Sequence, residues 1–412
     1  MKVLWFSNSV LGVKGVKATG TWLHTMSLAL IQSGIQVFNI TQSSTEKTIK
    51  YVDDGQIAQW ILPVYKLDST GLPTKDNILN IQKIVQDIQP DIIHIWGTEF
   101  YWGLLTARGF IKGNVILEIE GLMFSCSKVF YGGLSLSEIL QTFRLKEIIS
   151  FKRSIIGQQR WFEKWGRFEV EMLKKHKNIS TQSNWVRAWI APYSDHARIF
   201  RTGLIIRQEF YNSIPWKTPK HENLQLLSFA SGADSYKGLH IVIKALSIVK
   251  QIYPNIVLKL AGNFGLDLPS YRKPGYSKFI LALIAKLGLK NNVVFLGPLT
   301  AEGLVEQMLN SRAFVQASNV ESYSMALAES MAVGIPSVVS FAGAMPELAN
   351  NEESALFYPV NDFYSCANQI IRILDSEDLS AYLSYNARKR AEFRNTCDNV
   401  VKQQIRIYKS LY

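Results

Sequence analysis

Short apolar runs rich in β-formers alternate with amphipathic stretches along almost the whole chain, and that alternation restricts the fold more than any other feature. In the first half the runs "KVLWFS", "QVFNI", "DIIHIW", "VILEIE" and "NISTQS" read as buried strands, with helices expected over 22–32 and 78–88. In the second half "LQLLSFA", "IVLKLAG", "NVVFLG", "AFVQAS" and "SVVSF" are the strands, separated by helices expected over 238–251, 276–287, 301–309 and 325–333. A parallel neighbour can be reached only through a long crossover, so strands interleaved with helices imply parallel sheets with right-handed connections. The expected fold class is α/β.

The pattern fills two comparable halves, and 412 residues exceed what one hydrophobic core usually serves. Between the halves, "NSIPWKTPKHEN" carries Pro215 and Pro219 among polar residues and reads as a linker. The expected organisation is a Rossmann-like domain over 1–211, a linker over 212–223 and a second Rossmann-like domain over 224–378. Two helices over 379–412 are expected to pack back across the cleft. In open parallel sheets a ligand sits outside the carboxyl ends of the strands.

Composition narrows the partners. A hydrophobic content of 47% with 19% charged residues fits a globular protein. The longest apolar runs are strand-sized, too short to span a bilayer. The start "MKVLWFSNSV" lacks the pattern of a signal peptide and reads as a first strand. Cys126, Cys366 and Cys397 are scattered without metal-ligand spacing, so a cytoplasmic compartment is expected. The formal charge of +12 suggests nucleic acid, an anionic membrane or a phosphate-bearing small molecule as partner. Half of that excess lies between Leu122 and Lys177, where 11 Lys and Arg face 5 Asp and Glu. Within it, 147–177 aligns Phe151, Ile155, Phe162, Trp165 and Met172 at helical spacing, flanked by cations. Such a segment suits the surface of an anionic bilayer, or packs its aromatics into the first domain and leaves its charges solvated. No nucleic-acid motif accompanies the charge, so nucleic acid is not expected.

Three sets of residues carry candidate chemistry. Glu321 and Glu329 stand eight positions apart, and Glu329 lies in "ALAESMAVG", a helix apolar on nearly every face. A helix of that kind is buried, and a buried carboxylate needs a partner. The helix start near Met325 is a ready anion site. Glu329 repels phosphate but can accept hydrogen bonds from a pair of neighbouring hydroxyls such as those of a ribose, or it caps backbone or reaches solvent. Glu321, in the loop ahead, would face the group on the other side of a diphosphate. Lys237-Gly238 follows the strand "LQLLSFA" and precedes a helix, where a Lys serves as a point charge for phosphate. His94, inside an apolar strand, reads as a core histidine.

Together these loops resemble the nucleotide-sugar site of the family 4, GT-B glycosyltransferases of retaining type. The resemblance rests on the E-x7-E pair Glu321 and Glu329, on "GIPSVVSFAGAMPEL", and on "VVFLGPLTAEGLVEQMLNSRAFVQAS". More weakly, "KATGTWLHTMSLALIQSGIQVFNIT" is similar to the family's glycine loop and first helix, with Gly20 at the start and Lys14 and Lys17 nearby. It implies a GT-B fold, two Rossmann-like domains facing a central cleft. It also implies donor binding by Gly20, Lys237, Gly297, Glu321, Ser324, Met325 and Glu329, and catalysis by Glu321, Lys237 and Glu120.

Three departures stand out. Gly232 occupies the place of a frequent Arg, Glu120-Gly121 that of a frequent His-Gly, and "SYS" after Glu321 that of glycines around an aromatic. No Asp-x-Asp clamp lies in a strand-end loop, so no metal and no cofactor are expected. The implied reaction transfers a hexosyl or N-acetylhexosaminyl group from a UDP- or GDP-type sugar to a saccharide or lipid-linked acceptor, with retention and by front-face attack. Polysaccharide or glycolipid assembly at the inner face of the cell membrane is the implied setting. A catalytically weak nucleotide-sugar-binding component of a membrane complex is the alternative.

Overall fold

The computed structural model describes residues 1–12, 21–143, 151–219, 224–229, 234–269 and 273–412. Two sheets organise them. The first contains β1 (Lys2–Phe6), β2 (Gln36–Ser43), β3 (Lys50–Asp53), β4 (Ala58–Pro63), β5 (Ile92–Trp96), β6 (Val115–Ile119), β7 (Asn178–Thr181) and β8 (Arg198–Arg201), in the order β3-β4-β2-β1-β5-β6-β7-β8. The second contains β9 (Gln225–Phe229), β10 (Val257–Ala261), β11 (Val293–Gly297), β12 (Ala313–Gln316), β13 (Ser337–Ser340) and β14 (Leu356–Tyr358), in the order β11-β10-β9-β12-β13-β14. Every pairing is parallel except β3 with β4, an edge hairpin. The central strands are apolar on both faces because helices cover both; all five residues of β5 are buried. Strands β3, β4, β8 and β14, which the apolar runs do not announce, lie at or next to sheet edges. β8 is RIFR and β14 has only three residues.

The passage between domains falls earlier than the proline-bearing 212–223. Leu204 and Ile205 pack in the first domain, whereas Ile206, Phe210 and Trp216 already pack in the core beneath helix Met325–Val333. The excursion from Phe130 to Ile155 also departs from a boundary drawn along the chain. Phe130, Leu134, Ile139 and Ile155 join the second domain's core. Gly132 O accepts from His240 Nε2 (2.9 Å), and Glu138 pairs with Lys244 (2.7 Å). Helix Ile155–Lys175 therefore begins against one domain and ends against the other, with Trp165, Met172 and Leu173 buried in the first. The chain returns once more: helix Glu377–Arg394 packs on the second domain, while Val400, Val401, Ile407 and Tyr408 of helix Cys397–Leu411 pack against Trp5, Trp22 and Trp96. The two crossings are stitched together by Asn395, whose Nδ2 donates to Leu204 O and whose carbonyl accepts from Ile206 N. Among the described residues no helix is long and apolar enough to cross a membrane.

Candidate active site at the interdomain cleft

In the second sheet β9 is flanked by β10 on one side and β12 on the other, so successive connections leave in opposite directions there and open a crevice at the strand ends. Lys237 follows β9 in a short 3-10 turn (Ser235–Lys237), and Glu321 follows β12. Gly238 makes their approach possible. It has φ +73°, and a Cβ there would overlap the carbonyl of Ala317. Lys237 Nζ donates to Glu321 Oε1 at 2.8 Å, and the same oxygen accepts from Gln316 Nε2 (3.0 Å) and Ser318 Oγ (2.7 Å). Burial opposes the charge on Lys237, but Glu321 outweighs it and holds the ammonium above its ordinary pKa. The loop bearing Glu321 is braced by Gly343, where a Cβ would collide with Glu321 backbone, and by Ala344 N donating to Glu321 O (2.8 Å).

Glu329 lies one turn into helix Met325–Val333 and is buried. Its partner is Arg207, whose Nε (3.0 Å) and Nη2 (2.8 Å) both donate to Oε1. Burial still pushes the Glu329 carboxyl upward, with Arg207 pulling the other way. Arg207 precedes it by 122 residues, and no local pattern announces it.

The serines of "SYS" have structural work. Ser324 caps the helix, its Oγ accepting from Leu327 N (3.1 Å) and donating to Gln316 Oε1 (2.8 Å). Ser322 Oγ donates to Glu120 O, and Ser322 O accepts from Ser183 Oγ (2.8 Å), so both bonds join the domains. Tyr323 OH donates to Asn395 Oδ1 (2.8 Å), which links the loop to the two crossings. Met325 opens the helix and packs between both cores. Gly297 ends β11, two strands from β9, with φ +73° and open space where a side chain would be. Gly20, Lys14, Lys17 and Gly232 lie outside the described residues.

Opposite stands a different wall, built from the ends of β5 and β6. Glu120 brings its carboxyl beside that of Glu99, and Gly97 and Gly121 leave the room for it: a Cβ at either would run into Glu99. Glu99 Oε2 and Glu120 Oε1 are buried without hydrogen-bond partners among the described residues. Burial raises the Glu99 carboxyl to about 7 against the pull of nearby backbone N–H groups. Burial first, then Glu99 and Glu118, raise that of Glu120 well above its ordinary value. Behind them Glu169 is raised to about 8, again chiefly by burial. Its Oε1 lies 2.6 Å from Thr98 Oγ1, which also reaches Gly121 O at 3.3 Å. One hydroxyl has one proton to donate, so a proton on Glu169 lets both contacts be hydrogen bonds. Deeper still, His94 is a core residue. Trp5 Nε1 donates to Tyr408 OH (3.1 Å), Tyr408 OH and His94 Nδ1 share a hydrogen bond (2.7 Å), and Nε2 faces Glu118 at 3.6 Å. Burial lowers its pKa.

A cleft between two Rossmann-like domains, with a lysine and a carboxylate at the switch point of the second, defines the GT-B fold. The solved structures agree along the whole chain. A sucrose-phosphate synthase from Thermosynechococcus elongatus matches with TM-score 0.71 at 17% identity, covering 100% of this chain and 98% of that one. Anabaena HepE in complex with UDP-glucose matches with TM-score 0.68 at 16% identity, covering 100% of each. Residues 211–390 match the family described as glycosyl transferases group 1. An uncharacterized glycosyltransferase of Methanocaldococcus jannaschii is 27% identical over 186 residues, 45% of each chain. The chain thus aligns with less than half the length of that curated relative.

Proposed function

We propose that the protein is a glycosyltransferase that moves a sugar from a nucleotide-diphosphate sugar to a saccharide or lipid-linked acceptor, with retention and without a metal. The observation that carries this reading is the Lys237–Glu321 pair at the switch point, enclosed by the first domain through Ser322 and Ser183. Lys237 is still about a third exposed, so its ammonium can turn to a diphosphate entering the crevice. Charge growing on the departing phosphate is met by Lys237 and by the N–H groups of Met325 and Ala326, which lack intrahelical partners. Glu321 Oε1 keeps Gln316 and Ser318 as donors, which holds the carboxylate in place while Oε2 takes a sugar hydroxyl. Glu329, steadied by Arg207 on one oxygen, offers the other to the ribose. On the acceptor side Glu99 and Glu120, each with one carboxyl oxygen free of hydrogen bonds among the described residues, orient the attacking hydroxyl.

UDP-sugars are the first donors to test, since neighbours of the same fold are described in complex with UDP-glucose and UDP-2-fluoro glucose. A membrane-facing acceptor is supported by Phe151 and Trp161, exposed apolar side chains close in sequence to the exposed cations Arg160, Lys164 and Arg167. The buried line Ile155, Trp165 and Met172 packs inside the protein and takes no part in that surface.

The test is a thermal-shift panel of UDP-, GDP- and ADP-sugars, followed by nucleoside diphosphate release with saccharide and lipid-linked acceptors. One donor should raise the melting temperature and be turned over when an acceptor is added. Binding without release across the acceptor panel would instead support a nucleotide-sugar-binding component, and no binding would overturn both readings.

A further inference from the structure

A second cavity in the cleft has no part in the chemistry above. It measures about 450 Å³ and lies between the ends of β7 and β8, the short helix Met345–Leu348 and helix Glu377–Arg394. Three arginines line it: Arg201 from the first domain, Arg390 and Arg394 from the second. The carboxylate beside them, Glu347, is already engaged, since its oxygens accept from Trp185 N (2.8 Å) and Asn184 N (2.9 Å), leaving Arg201 at 3.4 Å. Arg390 and Arg394 make their hydrogen bonds to the carbonyls of Glu347 and Leu348, and neither meets a carboxylate among the described residues. They stand four residues apart on one helix, where like charges repel. Burial, and then the charges of Arg390 and Arg201, depress the pKa of Arg394, with Tyr323 and Glu347 opposing. Three guanidiniums against one occupied carboxylate leave a concave site with unbalanced positive charge and forked donors, the chemistry that recognises phosphate.

We propose that this cavity binds a phosphate-class anion, held by Arg201, Arg390 and Arg394, and that the anion ties the two domains together. It is separate from the donor crevice: Tyr323 lines the cavity, while Glu321, two residues earlier in the same loop, turns to Lys237. The space exceeds that of orthophosphate alone, so the anion is either free phosphate or the phosphate group of a small phosphorylated molecule. Because Arg201 sits on one domain and the other two arginines on the opposite one, the bound state favours the closed cleft that the Ser183–Ser322 bond also favours.

The experiment uses the full chain at constant ionic strength, with sodium chloride as the reference salt. Melting temperature is followed as inorganic phosphate, and separately a hexose 6-phosphate, is titrated against wild type, Arg201→Gln, Arg394→Gln and Lys237→Ala. Expected is a saturable stabilisation by phosphate in wild type and in Lys237→Ala, with the half-saturating concentration raised at least tenfold in Arg201→Gln and Arg394→Gln. Arg394 holds backbone carbonyls and its replacement is open to a folding defect; Arg201 is exposed, so its variant decides the matter if the other fails to fold. Tenfold tighter binding of the hexose phosphate points to a phosphorylated small molecule, and equal or weaker binding to the free anion. A response no different from chloride, an unchanged response in Arg201→Gln, or loss of the response in Lys237→Ala would each overturn the proposal. The last outcome would place phosphate at the donor crevice and leave the proposed activity standing.

Discussion

The two walls of the cleft use the same residue type in opposite ways. On the second domain Glu321 and Glu329 each have a cation within 2.8 Å, Lys237 and Arg207. On the first domain Glu99, Glu120 and Glu169 have no salt-bridge partner among the described residues and are pushed upward by burial. Glu321 and Glu329 accept hydrogen bonds from Lys237 and Arg207, whereas Glu99 and Glu169, raised to about 7 and about 8, hold protons near neutral pH and can also donate. The difference is set by neighbours brought from far along the chain, not by local sequence.

Removing a cation from the charged wall should have the largest effect. Lys237→Ala should lower turnover at saturating donor by about a hundredfold or more, the usual effect of losing one electrostatic contact to a developing charge. Donor affinity should fall much less. Steady-state kinetics beside calorimetry checks this, and an affinity loss with turnover intact would make Lys237 a binding residue only.

Removing Arg207 strikes the other pair. Arg207→Ala leaves Glu329 buried without its partner and should destabilise the protein by about 3 kcal/mol, the low end for a broken buried pair because Arg207 is itself partly exposed. Urea unfolding gives the figure. Arg207→Ala together with Glu329→Gln should recover part of the loss, since the charge left unpaired is then gone.

A finer comparison separates the two carboxylates by ligand. Glu329→Ala should weaken binding of nucleoside diphosphate by about 1.5–2 kcal/mol whether or not the sugar is attached. Glu321→Ala should spare free diphosphate and weaken the intact donor and its transfer. Paired calorimetry on both variants decides it, and equal losses for both ligands in Glu321→Ala would end the division of labour.

A pH-dependent effect belongs to the protonated wall. Glu99 and Glu169 have folded pKa values above the ordinary carboxylate value, so the native state holds their protons where the unfolded chain has released them. Their contribution to stability is complete below the unfolded value. It declines as pH rises and is lost through about 7 for Glu99 and about 8 for Glu169. Glu169→Gln should therefore match wild type in acid and exceed it at pH 8.5. Unfolding at pH 4.5 and 8.5 measures the slope, and parallel pH curves would show that Glu169 is not held protonated.

Much of this molecule was legible before its structure. Strand–helix alternation determined two parallel sheets, because only helical crossovers can join parallel neighbours. Lys237-Gly238 and the E-x7-E pair marked two loops of one crevice, because a topological switch point brings the ends of adjacent strands together. What the sequence left open depended on contacts between distant residues. Arg207 as the partner of Glu329, Glu99 beside Glu120, and the arginine cavity beneath Tyr323 carry no periodic or spacing signal. The aromatic line of 147–177 was ambiguous for the same reason: periodicity shows that a helix has an apolar face but not what covers it. Packing resolved Ile155, Trp165 and Met172 into the protein and left Phe151 and Trp161 outside. Periodicity is a local property written along the chain, whereas charge pairing, protonation and domain boundaries depend on which surfaces meet, and only the folded chain decides that.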